Sequence, residues 1–116
     1  MQVQAITRNV RMSAQKMREV VRQIQGLPAL QAQAVLAVVP RKGARIVAKT
    51  LQSAMANAED QGRAGKFPAV KPEALLVREA VAGAATTIKR FTPKARGSAG
   101  PILKRGCHVK IVLSDE

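Results

Sequence analysis

The hydrophobic positions change their period along the chain, and each change marks an element. From 3 to 10 the run VQAITRNV mixes β-branched with polar residues in rough alternation, which predicts a short strand ending at Asn9. Ser13 then stands where a helix N-cap belongs. Ala14, Met17, Val20, Val21 and Ile24 recur at three- and four-residue spacing until Gly26 supplies a C-terminal stop. Lys16, Arg18, Arg22 and Gln23 take the opposite face. Pro28 permits a second helix, 29–38, which must end before Pro40 because the residue preceding a proline is pushed out of the α region. The third helix, 41–60, carries the longest stripe: Ala44, Val47, Ala48, Leu51, Ala54, Met55 and Ala58 follow one face. The stripe is rich in alanine, so its neighbours can pack close.

The Gly and Pro content of DQGRAGKFPAVKPE, 60–73, marks a loop. ALLVREAVAG and RGCHVKIVLS read as strands, the second alternating Cys107, Val109, Ile111 and Leu113 against His108, Lys110 and Val112. The order is strand, three helices, then two strands joined by a long excursion. That order predicts an α+β fold: three helices packed on a small antiparallel three-stranded sheet, with a long protruding β-hairpin arm over about 84–104. Neither an internal repeat nor a second domain is visible, so 1–116 is read as a single domain.

The arm cannot bury itself. In TIKRFTPKARGSAGPILKRG, 87–106, the cations Lys89, Arg90, Lys94, Arg96, Lys104 and Arg105 face no acid, and the large apolar residues Ile88, Phe91, Ile102 and Leu103 lie near the two ends. A 116-residue chain has only a modest core, burying roughly two-thirds of its unfolded surface, and an arm must be subtracted from it.

Charge narrows the partner. Twenty Lys and Arg against seven Asp and Glu give +13, and a domain so charged repels itself unless a polyanion neutralises it. Nucleic acid leads. An acidic membrane surface would favour an amphipathic helix with aromatic residues on its buried face, and no candidate helix has one. Arg41, Lys42, Arg45 and Lys49 crowd the start of the third helix, against its dipole, which hints at an external anion there. Cations spread over the first strand, two helices and the arm suit envelopment by folded RNA better than one groove on a duplex. Readers of single-strand sequence stack bases on aromatics; with no Trp or Tyr and two Phe, this chain is expected to have no such platform, which leaves phosphate and shape contacts to structured RNA.

Enzymatic chemistry finds little support. Ser13 and Lys16 have the S-x-x-K spacing of some acyl-transfer enzymes, but the partner motifs S-D-N and K-T-G are absent, and a helix cap with a solvent-facing lysine explains both residues. Cys107 and His108, as strand neighbours, point to opposite faces and cannot form a dyad. Glu59 with Asp60, Glu73 and Glu79 make no acid–base pair or metal cluster. One cysteine excludes an internal disulfide and suits a reducing compartment. No apolar run approaches the ~20 residues of a bilayer span, and MQVQAITRNVRM lacks a signal-peptide core, so a cytoplasmic protein without membrane, cofactor or small-molecule substrate is expected. On these residues alone, a structural RNA-binding protein and a free-standing basic RNA chaperone or regulator stand level.

RMSAQKMREVVRQIQG, LQSAMANAED and IKRFTPKARGSAGPILKRGCHVKIVLSDE, in this order and spacing, closely resemble the universal large-subunit ribosomal protein L twenty-two family in its bacterial form. The chain departs from the family pattern at GAATT, 83–87, and at SAGP, 98–101. The resemblance implies a compact α+β body on large-subunit rRNA and an arm that lines the nascent-peptide exit tunnel of the ribosome. Its partners would be large-subunit rRNA, neighbouring ribosomal proteins and the nascent peptide. It carries over rRNA contacts to Lys89, Arg90, Lys94, Arg96, Lys104 and Arg105 on the arm and to Arg8, Arg11, Ser13 and Lys16 on the body. Arg41, Lys42, Arg45 and His108 complete the expected rRNA-binding set.

Overall fold

The computed structural model describes residues 2–65 and 72–115. Strand β1 (Gln2–Val10) is followed by helices α1 (Ala14–Val21), α2 (Ala29–Val38) and α3 (Lys42–Arg63). A 3₁₀ turn at Pro72–Ala74 leads into β2 (Leu76–Ala84). Strands β3 (Ile88–Pro93) and β4 (Ala99–Lys104) are joined through a second 3₁₀ turn, Ala95–Gly97, and β5 (Cys107–Ser114) completes the chain. β1, β5 and β2 form an antiparallel sheet in that spatial order, while β3 and β4 pair only with each other as the hairpin arm. The α+β class holds.

Three helices cover one face of the sheet. Val3 and Ala5 of β1, Val77, Ala80 and Ala82 of β2, and Cys107, Val109, Ile111 and Leu113 of β5 turn toward Met17, Val20, Val21, Ile24, Val47, Leu51 and Ala54. The stripe on α3 lies where the 3–4 spacing puts it, and Gly43 at its head lets α1 close in: a Cβ there would stand 2.9 Å from Met17 Sδ. Val112, grouped with the polar positions of its strand by alternation, is buried all the same, because β5 is central and Gln4 and Glu79 flank Val112 from both neighbours.

Several element ends differ from the expected ones where the chain meets a partner in space. The α-helical part of α1 stops at Val21, short of the expected Gly26, because the chain tightens there: Gln23 and Ile24 donate to Val20 and Val21 at 3.1 and 3.3 Å. This brings Gly26, at φ +80°, to donate to Val77 O at 2.9 Å, so the segment 26–29 covers the start of the β2 edge. Ala29 N to Leu75 O and Val77 N to Leu27 O, each 2.9 Å, complete that cover. α3 runs to Arg63, three residues past its expected end at 60, and positions 66–71 of the expected loop lie outside the described residues. Ala74, expected in β2, belongs to the 3₁₀ turn. β5 starts at Cys107 rather than 105, since Arg105 and Gly106 form the elbow between arm and sheet. There Ala85 N donates to Gly106 O at 3.1 Å, and a Cβ on Gly106 would meet Val10 O at 3.2 Å.

The radius of gyration is 17.6 Å, against about 13 Å for a compact domain of this length. The extents of 66 × 28 × 17 Å show the cause: an arm standing off one end of the body.

Candidate nucleic-acid interface

The cations gather where strand order and register bring them together. At the elbow, Arg11, Lys104 and Arg105 share an open cleft of about 560 Å³ with Asn9, Val10, Ala85, Thr86, Ile88 and Gly106. Its lining thus combines three cations with apolar and backbone surface. The cleft exists because β1 ends beside the arm: the ladder to β5 is broken between Thr7 and Val10, and Asn9 adopts φ +58° at the break. Asparagine tolerates that left-handed conformation better than most residues. The freed Asn9 N–H donates to His108 Nδ1 at 3.0 Å. His108, expected at the RNA contact, thus has one ring nitrogen engaged in holding the bulge.

The outer face of the sheet carries a second group. Arg8, His108 and Lys110 surround Ile6, Val81 and Gly83 in an open hollow of about 330 Å³. Strand alternation places all three cationic or polar residues on one face, and Lys110, left out of the expected set, belongs to it for that reason. The third group is at the start of α3. Arg41, Lys42 and Arg45 ring a surface lined also by Leu36, Val39, Pro40 and Ala48. No acid lies in the first turn of α3 and no side chain caps it, so those cations oppose the helix dipole. Glu19 of α1 offsets Arg41 alone, at 3.3 Å.

Ser13 and Lys16 stand where the sequence places them, at the cap and on the open face of α1. Ser13 is the N-cap of α1, its Oγ accepting from Lys16 N at 3.4 Å, so its hydroxyl already serves the fold. The Lys16 side chain is exposed on the outer face of α1. Arg18 donates Nε to Ala82 O at 3.2 Å, tying α1 to β2.

On the arm, Lys89, Arg90, Lys94 and Arg96 are all exposed. Arg90 Nη1 donates to Lys89 O at 2.9 Å. Arg96 sits at φ +60° and Gly97 at +74°, which turns the chain at the tip. Among the described residues no carboxylate meets any arm cation. Phe91 is 75% exposed on the arm, so an aromatic ring stands clear of the core there.

Among the described residues no group of three His, Cys, Asp or Glu could hold a metal, and no helix is long and apolar enough to cross a membrane. Cys107 is wholly buried and burial pushes its thiol pKa up, away from the reactive thiolate.

The family model described as "Ribosomal protein L22p/L17e" matches residues 5–114. A protein named large ribosomal subunit protein uL22 from Opitutus terrae is 47% identical over 115 residues, covering 99% of this chain and 96% of its own. One of the same name from Akkermansia muciniphila is 40% identical over 116 residues, covering 100% and 98%.

Proposed function

The chain belongs to the ribosomal protein L22p/L17e family, and from that premise we propose that it is a non-enzymatic structural constituent of the large ribosomal subunit that binds large-subunit rRNA through its body and its arm. Its place is then the ribosome. The observation that carries the RNA reading is the arm: two six-residue strands outside the core, bearing cations that no carboxylate of the described fold neutralises. An isolated two-stranded hairpin is at best marginally stable in water. Phosphates along Lys89, Arg90, Lys94, Arg96 and Lys104 supply the attraction that the hairpin lacks, and neighbouring ribosomal proteins complete its surroundings.

An arm of this reach fits a narrow passage, and lining the nascent-peptide exit tunnel is the role we assign to it. The cleft at the elbow and the group at the start of α3 extend the same phosphate-binding surface back over the body. Tagged protein is expected to sediment with the large subunit and to stay with it, near one copy each, through a high-salt wash. Release of most of the protein in that wash would favour a transiently acting RNA chaperone and overturn the structural assignment.

A further inference from the structure

Proline sorts the arm into two unlike faces. Pro93 and Pro101 have no N–H, and both fall in odd-numbered register pairs, Pro93 opposite Ala99 and Phe91 opposite Pro101. The paired ladder bonds of β3 and β4 therefore run through Ile88–Lys104, Arg90–Ile102 and Thr92–Gly100. Side chains of those pairs share one face. There the stem of Lys94 crosses Gly100 so closely that a Cβ at 100 would stand 2.5 Å from Lys94 Cε, which holds this cation on the face of Arg90 and Lys104. The other face carries Phe91, with Pro101 across from it, Leu103 on the diagonal and Lys89 two residues before it.

Phe91 is three-quarters exposed, and its face is otherwise Pro93, Ala99, Pro101 and Leu103 with one cation, Lys89. The ring adds nothing to the core, since β3 and β4 form a sheet of their own. Flat apolar surface beside a cation, Lys89, on an arm otherwise rich in cations matches a nucleotide, whose base is a flat π-system and whose backbone is anionic. An apolar protein surface would match the ring but leave Lys89 beside it without counter-charge. We propose that Phe91, backed by Pro101 and Leu103, is a stacking platform for an unpaired RNA base, while phosphates follow Arg90, Lys94 and Lys104 on the opposite face. The inference rests on the RNA-binding reading above and adds a base contact to what is otherwise phosphate and shape recognition.

The chain has no Trp and no Tyr, so Phe91→Trp in the full-length protein introduces a unique fluorophore at the platform. Single-stranded octaadenylate should quench its emission, whereas an abasic ribose-phosphate octamer should bind without quenching. Phe91→Ala should weaken octaadenylate binding about tenfold, leave abasic binding unchanged and keep the same salt slope, because no phosphate contact is lost. Equal quenching by the two ligands, or wild-type octaadenylate affinity in Phe91→Ala, would overturn the stacking platform. If that silent variant also fails to enter large subunits, the face belongs to a neighbouring protein. Wild-type binding without salt dependence for either ligand would instead sink the RNA reading itself.

Discussion

Leu51 shows how much one side chain decides. It is fully buried on α3 as part of the core, so Leu51→Ala should cost about 2 to 5 kcal/mol, a large share of what holds a small domain together. A urea midpoint measures it, and a silent substitution would contradict the burial. Thr50 beside it is equally buried, which hydrophobic counting missed; its hydroxyl meets Thr7 Oγ1 at 2.6 Å and reaches Ile46 O at 2.9 Å, so its polarity is satisfied inside. Cys107 contributes through protonation. Burial raises its folded pKa above the ordinary 9.0, so above that pH the folded state holds the proton that the unfolded chain releases. The stability it contributes is complete below pH 9.0 and falls as pH rises from there toward the folded value. Urea melts at about pH 8 and about pH 10 should differ less for Cys107→Ala than for wild type; an identical fall in both would assign the pH dependence to other groups.

At the scale of elements, periodicity located all three helices and the three sheet strands, and α2 falls at the predicted 29–38. The boundaries that moved are those set by partners in space. The end of α1 yields to the hydrogen bond between Gly26 and Val77, and the start of β5 yields to the elbow. Since β3 and β4 pair with nothing but each other, the body should fold without them. Replacing 88–104 with a two-residue Asn-Gly link is expected to leave helical circular dichroism and cooperative melting nearly unchanged. Loss of a cooperative transition would mean that the arm takes part in folding.

For the whole molecule, a charge of +13 on a body only 28 × 17 Å across its shorter axes makes self-repulsion large and attraction to a polyanion larger. If Lys89, Arg90, Lys94 and Arg96 each neutralise a phosphate, changing all four to Gln should lower the slope of log K against log salt for large-subunit rRNA fragments. The expected fall is roughly 0.7 to 0.9 per contact, about 3 in all. The melting temperature of the free protein should hold or rise slightly as like charges are removed. An unchanged slope with intact folding would place these four side chains away from the RNA.

Sequence alone determined the α+β class, the buried stripe of α3, the existence of the arm and the family resemblance, because apolar period, proline and glycine placement and charge are local properties of the chain. Only the tertiary structure decided which cations share a surface. Arg11 meets Lys104 and Arg105 at the elbow, and Arg8 meets His108 and Lys110, across almost the full length of the chain. No spacing rule reaches that far, since strand order and register bring them together. The use of Asn9 and His108 to secure a bulge was likewise invisible in composition, as a polar side chain reads the same whether its partner is backbone or phosphate, whereas the Ser13 cap was legible from its place ahead of the apolar stripe. Phe91 was in plain view, yet its exposure depends on the pairing of β3 with β4, which sets the face it occupies and leaves that face uncovered.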